Sequence, residues 1–193
     1  MNLPIAKYGD QVLRVQGRRV EKVDDRIREL ATNMLETMHA ANGVGLAAQQ
    51  VGETWQLTVL DVLQSEDRPS TLRLNGREIE LLAAMPLILL NPKITLDDEI
   101  NIGTEGCLSF PEITAEIERS VAVNVRAETL EGEPIEIEAT GLLARALQHE
   151  VDHLNGILFI DRMSSVTKAS LQSRLKRLRK ETLRSKKNAA RAI

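Results

Sequence analysis

His149 and His153 stand four residues apart in the run Gly141-Leu-Leu-Ala-Arg-Ala-Leu-Gln-His149-Glu150-Val-Asp-His153-Leu154, and this spacing narrows the possible folds more than any other feature of the chain. On a helix, residues four apart lie on one face about a turn from each other. One and two turns before His149 are Ala146 and Leu142, so the histidines continue an apolar face that must turn into a core. Two unpartnered imidazoles there would be costly. A metal ion held between them would satisfy both, and Glu150, about 100° around the helix, could reach water at that ion. The alternative is a pair of surface histidines on a charged helix, which the apolar continuation disfavours.

Around this helix the patterns predict an α+β fold: antiparallel β-sheets packed around a buried central helix carrying H-E-x-x-H, plus a basic C-terminal helix. Asp24 or Asp25 can cap a helix through Ile27, Leu30, Met34 and Met38, which Asn42-Gly-Val-Gly45 stops. Residues 57–62 and 87–94 read as buried strands. Val121, Val123, Val125 and Ala127 alternate with polar neighbours, Glu131 and Gly132 turn the chain, and Ile135, Ile137 and Ala139 alternate again, as in a hairpin. Residues 64–77 are polar and hold Pro69, Asn75 and Gly76, the composition of a loop or exposed hairpin.

A catalytic metal centre wants a third protein ligand and an open position. The sole cysteine, Cys107, lies in Thr104-Glu-Gly-Cys107-Leu-Ser-Phe-Pro111, a segment outside any periodic pattern. It is a candidate ligand, although a lone cysteine is as readily a buried, inert thiol. In Asn42-Gly-Val-Gly-Leu-Ala-Ala-Gln49-Gln50-Val-Gly52 the glycines suggest a phosphate loop, but the spacing of a dinucleotide or P-loop motif is missing. Close backbone packing beside a site, with a glutamine amide available as donor, fits better.

Taken together, Gly43-Val-Gly-Leu-Ala-Ala-Gln-Gln50, Glu105-Gly-Cys-Leu-Ser109 and Gln148-His-Glu-Val-Asp-His153 resemble the peptide deformylases in content, order and spacing, and the resemblance covers about residues 3–165. It implies hydrolysis of the N-formyl group of nascent formyl-methionyl peptides to formate and a free amine. It implies Cys107, His149 and His153 as ligands of one divalent ion, Fe(II) in the native enzyme, with Zn(II) or Ni(II) able to take its place. Glu150 would be the proton carrier, with the Gln50 amide and the Leu108 backbone N–H as oxyanion donors. Val44, Gly45, Leu142 and Ala146 are expected around the methionine side chain. Glu105 and Arg119 are expected to pair behind the site, with a plain surface charge the equal alternative for Arg119. Arg145 departs from the apolar residue usual there and is expected to snorkel outward. Thr114 stands where many relatives carry an arginine that grips the peptide. Asp152 is read equally as a group behind the ligands or a surface acid, and His39 as structural. Another H-E-x-x-H metallohydrolase, such as a peptidase, and a non-catalytic ribosome-binding relative are the competing readings.

Charge divides the chain. Residues 166–193 hold ten lysines and arginines and one glutamate, a net +9; the chain carries −3, so residues 1–165 carry −12. Leu171, Leu175 and Leu178 mark one face of a helix in this segment, and the pattern dissolves after about Ser185. The domain expectation is therefore a catalytic unit at 1–165 and a basic helix with a frayed tail at 166–193. That helix either docks simply on the acidic body or also contacts ribosomal RNA, since clustered cations release counterions from a polyanion. Two Phe, one Tyr and one Trp are too few for a base-stacking platform. The lone cysteine, the absence of an apolar run long enough for a membrane span and the absence of a signal-like start point to a cytoplasmic protein without membrane contact.

Overall fold

The computed structural model describes residues 1–65 and 67–189. In chain order the elements are α1 (Asp25–Ala40), β1 (Gly45–Ala47), β2 (Leu57–Leu60), β3 (Leu72–Leu74), β4 (Arg77–Glu78), α2 (Leu81–Ala84), β5 (Leu87–Leu96), β6 (Ile100–Gly106), β7 (Thr114–Ser120), β8 (Ala122–Glu128), β9 (Pro134–Thr140), α3 (Gly141–Leu154), α4 (Phe159–Arg162), α5 (Ser165–Ser170) and α6 (Gln172–Ala189). Helix α1 starts where the carboxylate of Asp24 accepts the Ile27 N–H at 3.0 Å, and it ends as Asn42 turns with φ +53°. The strands form an antiparallel seven-stranded sheet, ordered β1-β2-β5-β8-β9-β3-β4, and a two-stranded sheet, β6-β7. The expected β8-β9 hairpin is present, from Ala122 opposite Thr140 to Glu128 opposite Pro134. The polar segment predicted as a loop or hairpin holds β3 and β4, and β3 adds to the edge of β9.

Two elements depart from the sequence reading. Glu105 and Gly106 are not outside regular structure; they end strand β6. Strands β7 and β8 adjoin in sequence with unbroken alternation, yet they belong to different sheets. The chain switches sheets at Ser120 and Val121, where the Ser120 hydroxyl bonds the Asp97 and Ala122 carbonyls and Val121 N–H reaches Glu99 O.

Helix α3 is buried from Leu142 to Leu154 and packs against β1, β2, β5, β7, β8 and β9. Gly141 opens it with φ +65° directly under the Pro69 carbonyl, where a Cβ would collide with that oxygen. Thr140 provides no side-chain cap; Ser70 Oγ accepts the Leu143 N–H instead, at 2.9 Å. Leu142, Leu143 and Leu147 join the core formed with β2, β5, β8 and β9. At the other end, α6 lays buried Leu175, with Leu178 and, from the turn before the helix, Leu171 beside it, against Leu13, Phe110, Ile113 and Phe159. The helix runs to Ala189, past Ser185 where its apolar pattern stops. In the last turns Lys186 pairs with Asp10 at 2.7 Å. Arg191 and the end of the expected tail lie outside the described residues. No helix among the described residues is long and apolar enough to cross a membrane.

Candidate metal centre and active site

One turn of α3 separates His149 from His153, and their ring centroids are 5.0 Å apart. Cys107, on the turn after β6, brings its Sγ to 3.2 Å from His153 Nε2. One donor atom from each of Cys107, His149 and His153 lies within 4.8 Å of the others, so the three residues singled out as ligands from the sequence converge. The orientation of each ring fits a shared cation. His149 Nδ1 is engaged by Glu105 Oε2 at 3.0 Å, so Nε2 is the atom it can offer a cation. His153 is 1% exposed, and its Nδ1 finds no partner among the described residues. A thiolate and two imidazoles suit Zn(II), Fe(II) or Ni(II). His39 stays apart, bonded to Asp61 on the surface at 2.9 Å.

Glu150 follows His149 and faces the same cavity, 3% exposed, with Oε2 unpartnered among the described residues. Burial pushes its carboxyl up to about 7, against the lowering influence of His149. Gly45 passes so close that a Cβ there would strike the Glu150 carboxylate. For His149, burial works to lower the pKa, but hydrogen bonds to Cys107 and Glu105 outweigh it and raise it well above the usual histidine value. His153, buried and beside His149, is pushed well below that value.

Gln50 lies on the 3-10 turn Ala48–Val51 and is 1% exposed. Its Oε1 accepts the Ala47 N–H at 2.8 Å, which turns Nε2 toward Cys107 Sγ, at 3.5 Å, and Ser109 Oγ, at 3.3 Å. The Leu108 N–H has no acceptor among the described residues, while its carbonyl receives Lys7 Nζ at 2.7 Å. The N-terminal strap ties both sides of the site together: Ala6 N–H donates to Gln50 O at 2.8 Å, and Tyr8 N–H to Ser109 O at 2.9 Å. Burial lowers the Lys7 pKa, opposed by the neighbouring Cys107. Ser109 closes the Glu105-Gly-Cys-Leu-Ser109 motif, whereas no sequence pattern marks Lys7, whose contact with Leu108 joins segments far apart in the chain.

A cavity of ≈ 210 Å³ opens onto Cys107, His149 and Glu150. Val44, Gly45, Leu142 and Ala146 all line it, as the sequence suggested. Behind it, Glu105 is fixed by Arg119 through both oxygens, at 2.9 and 3.1 Å. Burial would raise the Glu105 pKa, but hydrogen bonds from His149 and Arg119 hold it well below the ordinary carboxylate range. Of the two readings of Asp152, the surface acid does not hold: it is buried and joins Arg119, at 2.6 Å, to Arg162, also at 2.6 Å. Arg145 does not snorkel outward. It is 8% exposed and donates to Glu105 at 2.8 Å and to the carbonyls of Ile117 and Asn101 at 3.0 Å. A buried carboxylate and three carbonyls, the third that of Gly103 at 3.4 Å, offer this guanidinium more than its apolar stem alone would gain from the pocket. Thr114 is exposed at the start of β7.

The polypeptide deformylase family profile matches residues 2–169. A peptide deformylase of Opitutus terrae is 45% identical over 184 residues, spanning 94% of this chain and 95% of that protein. Among solved structures, the peptide deformylase of Thermotoga maritima superposes with a TM-score of 0.72 at 41% identity, covering 85% of this chain and 99% of that one. The peptide deformylase of Synechococcus elongatus in complex with actinonin gives a TM-score of 0.76 at 38% identity, covering 89% of this chain and 87% of that one.

Proposed function

The chain belongs to the peptide deformylases, metal-dependent hydrolases that remove the N-formyl group from nascent peptides, and from that premise we propose how its own residues divide the reaction. The observation that carries the assignment is the convergence of Cys107, His149 and His153 beside the unpartnered carboxylate oxygen of Glu150. The three converging residues hold one divalent ion, Fe(II) in the native enzyme, with Zn(II) or Ni(II) able to substitute. When bound, the ion supplies Lewis-acid polarisation and lowers the pKa of water.

The substrate's methionine side chain enters the cavity along Val44, Gly45, Leu142 and Ala146. That places the formyl carbon beside Glu150. Glu150 takes the proton of the attacking water as its oxygen bonds the formyl carbon, and delivers it to the amine nitrogen as the C–N bond breaks. The oxygen that gains charge receives hydrogen bonds from Gln50 Nε2 and the Leu108 N–H, both preset by contacts that do not involve substrate. Formate and a free α-amine leave. A formyl carbon carries no methyl group, so a tight site admits it and excludes an acetyl group.

Residues 1–165 form the catalytic unit and 166–193 a basic appendage, docked through Leu175. Arg179, Lys180 and Arg184 of α6 are exposed; with their neighbours they form a surface for ribosomal RNA, which would hold the enzyme where nascent chains emerge in the cytoplasm. Reversing these three charges should weaken ribosome binding most at low salt; unchanged binding would remove this part of the reading. The central test is formate release from formyl-Met-Ala-Ser by protein purified without oxygen, with metal content measured on the same sample. Release that needs the metal and collapses in Glu150→Ala is the expected result; bound metal without formate would refute the division of roles.

A further inference from the structure

Among the charged groups on the active-site cavity, Arg68 is the one that the hydrolysis does not employ and that no neighbour neutralises among the described residues. It lines the cavity with Leu142 and also borders the adjoining cleft of ≈ 480 Å³. The other lining charges are buried, and Arg145 and Glu105 are paired with each other at 2.8 Å. Arg68 is exposed and makes no ion pair among the described residues.

Its place on the rim is set by anchors on either side. The Arg68 N–H bonds Ser65 O at 3.0 Å. Immediately after it, Pro69 O accepts the Leu142 N–H at 3.4 Å, Ser70 Oγ accepts the Leu143 N–H at 2.9 Å, and Thr71 Oγ1 meets Thr140 Oγ1 at 2.6 Å. Leu72 then pairs with Ala139 in the sheet. Arg68 is thus tied to the first turn of α3, the turn that also supplies Leu142 to the cavity. Residues 1–165 carry −12, a field that disfavours acidic peptides in general. An unmatched guanidinium at the mouth is a local exception to it.

We propose that Arg68 is a specificity-determining residue that favours formyl-methionyl peptides bearing an aspartate or glutamate within the three residues after methionine. This rests on the deformylase assignment of the cavity. An extended peptide advances ~3.3 Å per residue, so one of those side chains passes the rim while methionine occupies the pocket. The planar guanidinium matches a carboxylate with two hydrogen bonds.

The test compares kcat/KM for formyl-Met-Ala-Ala-Ala-amide with peptides in which aspartate or lysine replaces each of the three alanines in turn, the amidated ends leaving the replaced residue as the variable charge. The readout is the Asp-to-Lys ratio, which is independent of the amount of active enzyme. Relative to wild type, Arg68→Ala should lower it about two- to fivefold, the strength of one exposed ion pair, and Arg68→Glu about tenfold. The difference should reside in KM and shrink as salt is raised. Turnover of the neutral peptide with a ratio that Arg68→Glu does not move would overturn the proposal while leaving the deformylase assignment intact. Failure of the wild type to release formate from the neutral peptide would overturn both.

Discussion

Replacing Arg145 by methionine measures how firmly the guanidinium behind the cavity is needed. The arginine donates to Glu105 at 2.8 Å and to the Ile117, Asn101 and Gly103 carbonyls at 3.0, 3.0 and 3.4 Å, with 8% of its surface exposed. Loss of the charge-assisted bond costs about 2 kcal/mol, and three weakened carbonyl acceptors together cost about 2 kcal/mol more. Glu105 keeps Arg119 and His149, so it is not stranded as a wholly unpaired buried charge, which alone would cost about 3–5 kcal/mol. The buried methionine returns about 1 kcal/mol of apolar transfer. The net expectation is a destabilisation of about 3 kcal/mol, or roughly 6–12 °C in Tm for a chain of this size. Urea unfolding of metal-free protein is the suitable assay, because metal binding adds its own linkage to the apparent stability. The midpoint should fall with the m-value unchanged. Combined with Glu105→Gln, the two losses should be non-additive, since they share one contact. A change below about 1 kcal/mol, or strict additivity, would refute the claim that Arg145 is held by this network.

Gly45→Ala should lower kcat while leaving the melting temperature nearly unchanged, because the new Cβ meets the movable end of Glu150 rather than backbone; thermal melts beside initial rates would show it. Glu105 has its folded pKa depressed from an ordinary value of 4.5, so its stabilisation is complete above that pH and is lost as pH falls further. The stability gap between wild type and Glu105→Gln should therefore be constant above about pH 5.5 and narrow toward pH 3 in denaturation curves collected across that range. Leu175→Ala, at a site 6% exposed beneath α6, should cost about 2–4 kcal/mol in urea unfolding, whereas Leu183→Ala, at an exposed position, should change stability by less than about 0.5 kcal/mol. Equal losses at the two positions would contradict the docking of α6 through Leu175.

Periodicity and capping made α1, the β8-β9 hairpin and the helix with His149, Glu150 and His153 legible before any coordinates, because each pattern records which side of a local segment is buried. Cys107 and Gln50 were legible through their motifs, and the structure brings both to the histidines. Strand β7 was missed because its alternation of Ala115 and Ile117 runs straight into that of β8, and a period of two says nothing about which sheet a strand joins. Strand β6 was missed because its exposed Ile100 and Ile102 lie among polar residues without a one-sided pattern. Arg145 reads on its own as a long side chain with an apolar stem and a solvated head. Glu105 and the carbonyls of Asn101 and Ile117 turn it inward, and these come from strands more than twenty residues earlier in the chain. Local sequence determined the donor set and the faces that must be buried. Only the tertiary structure decided which carboxylate satisfies which arginine and which strap holds the Leu108 turn, since those energies exist only between segments that folding brings together.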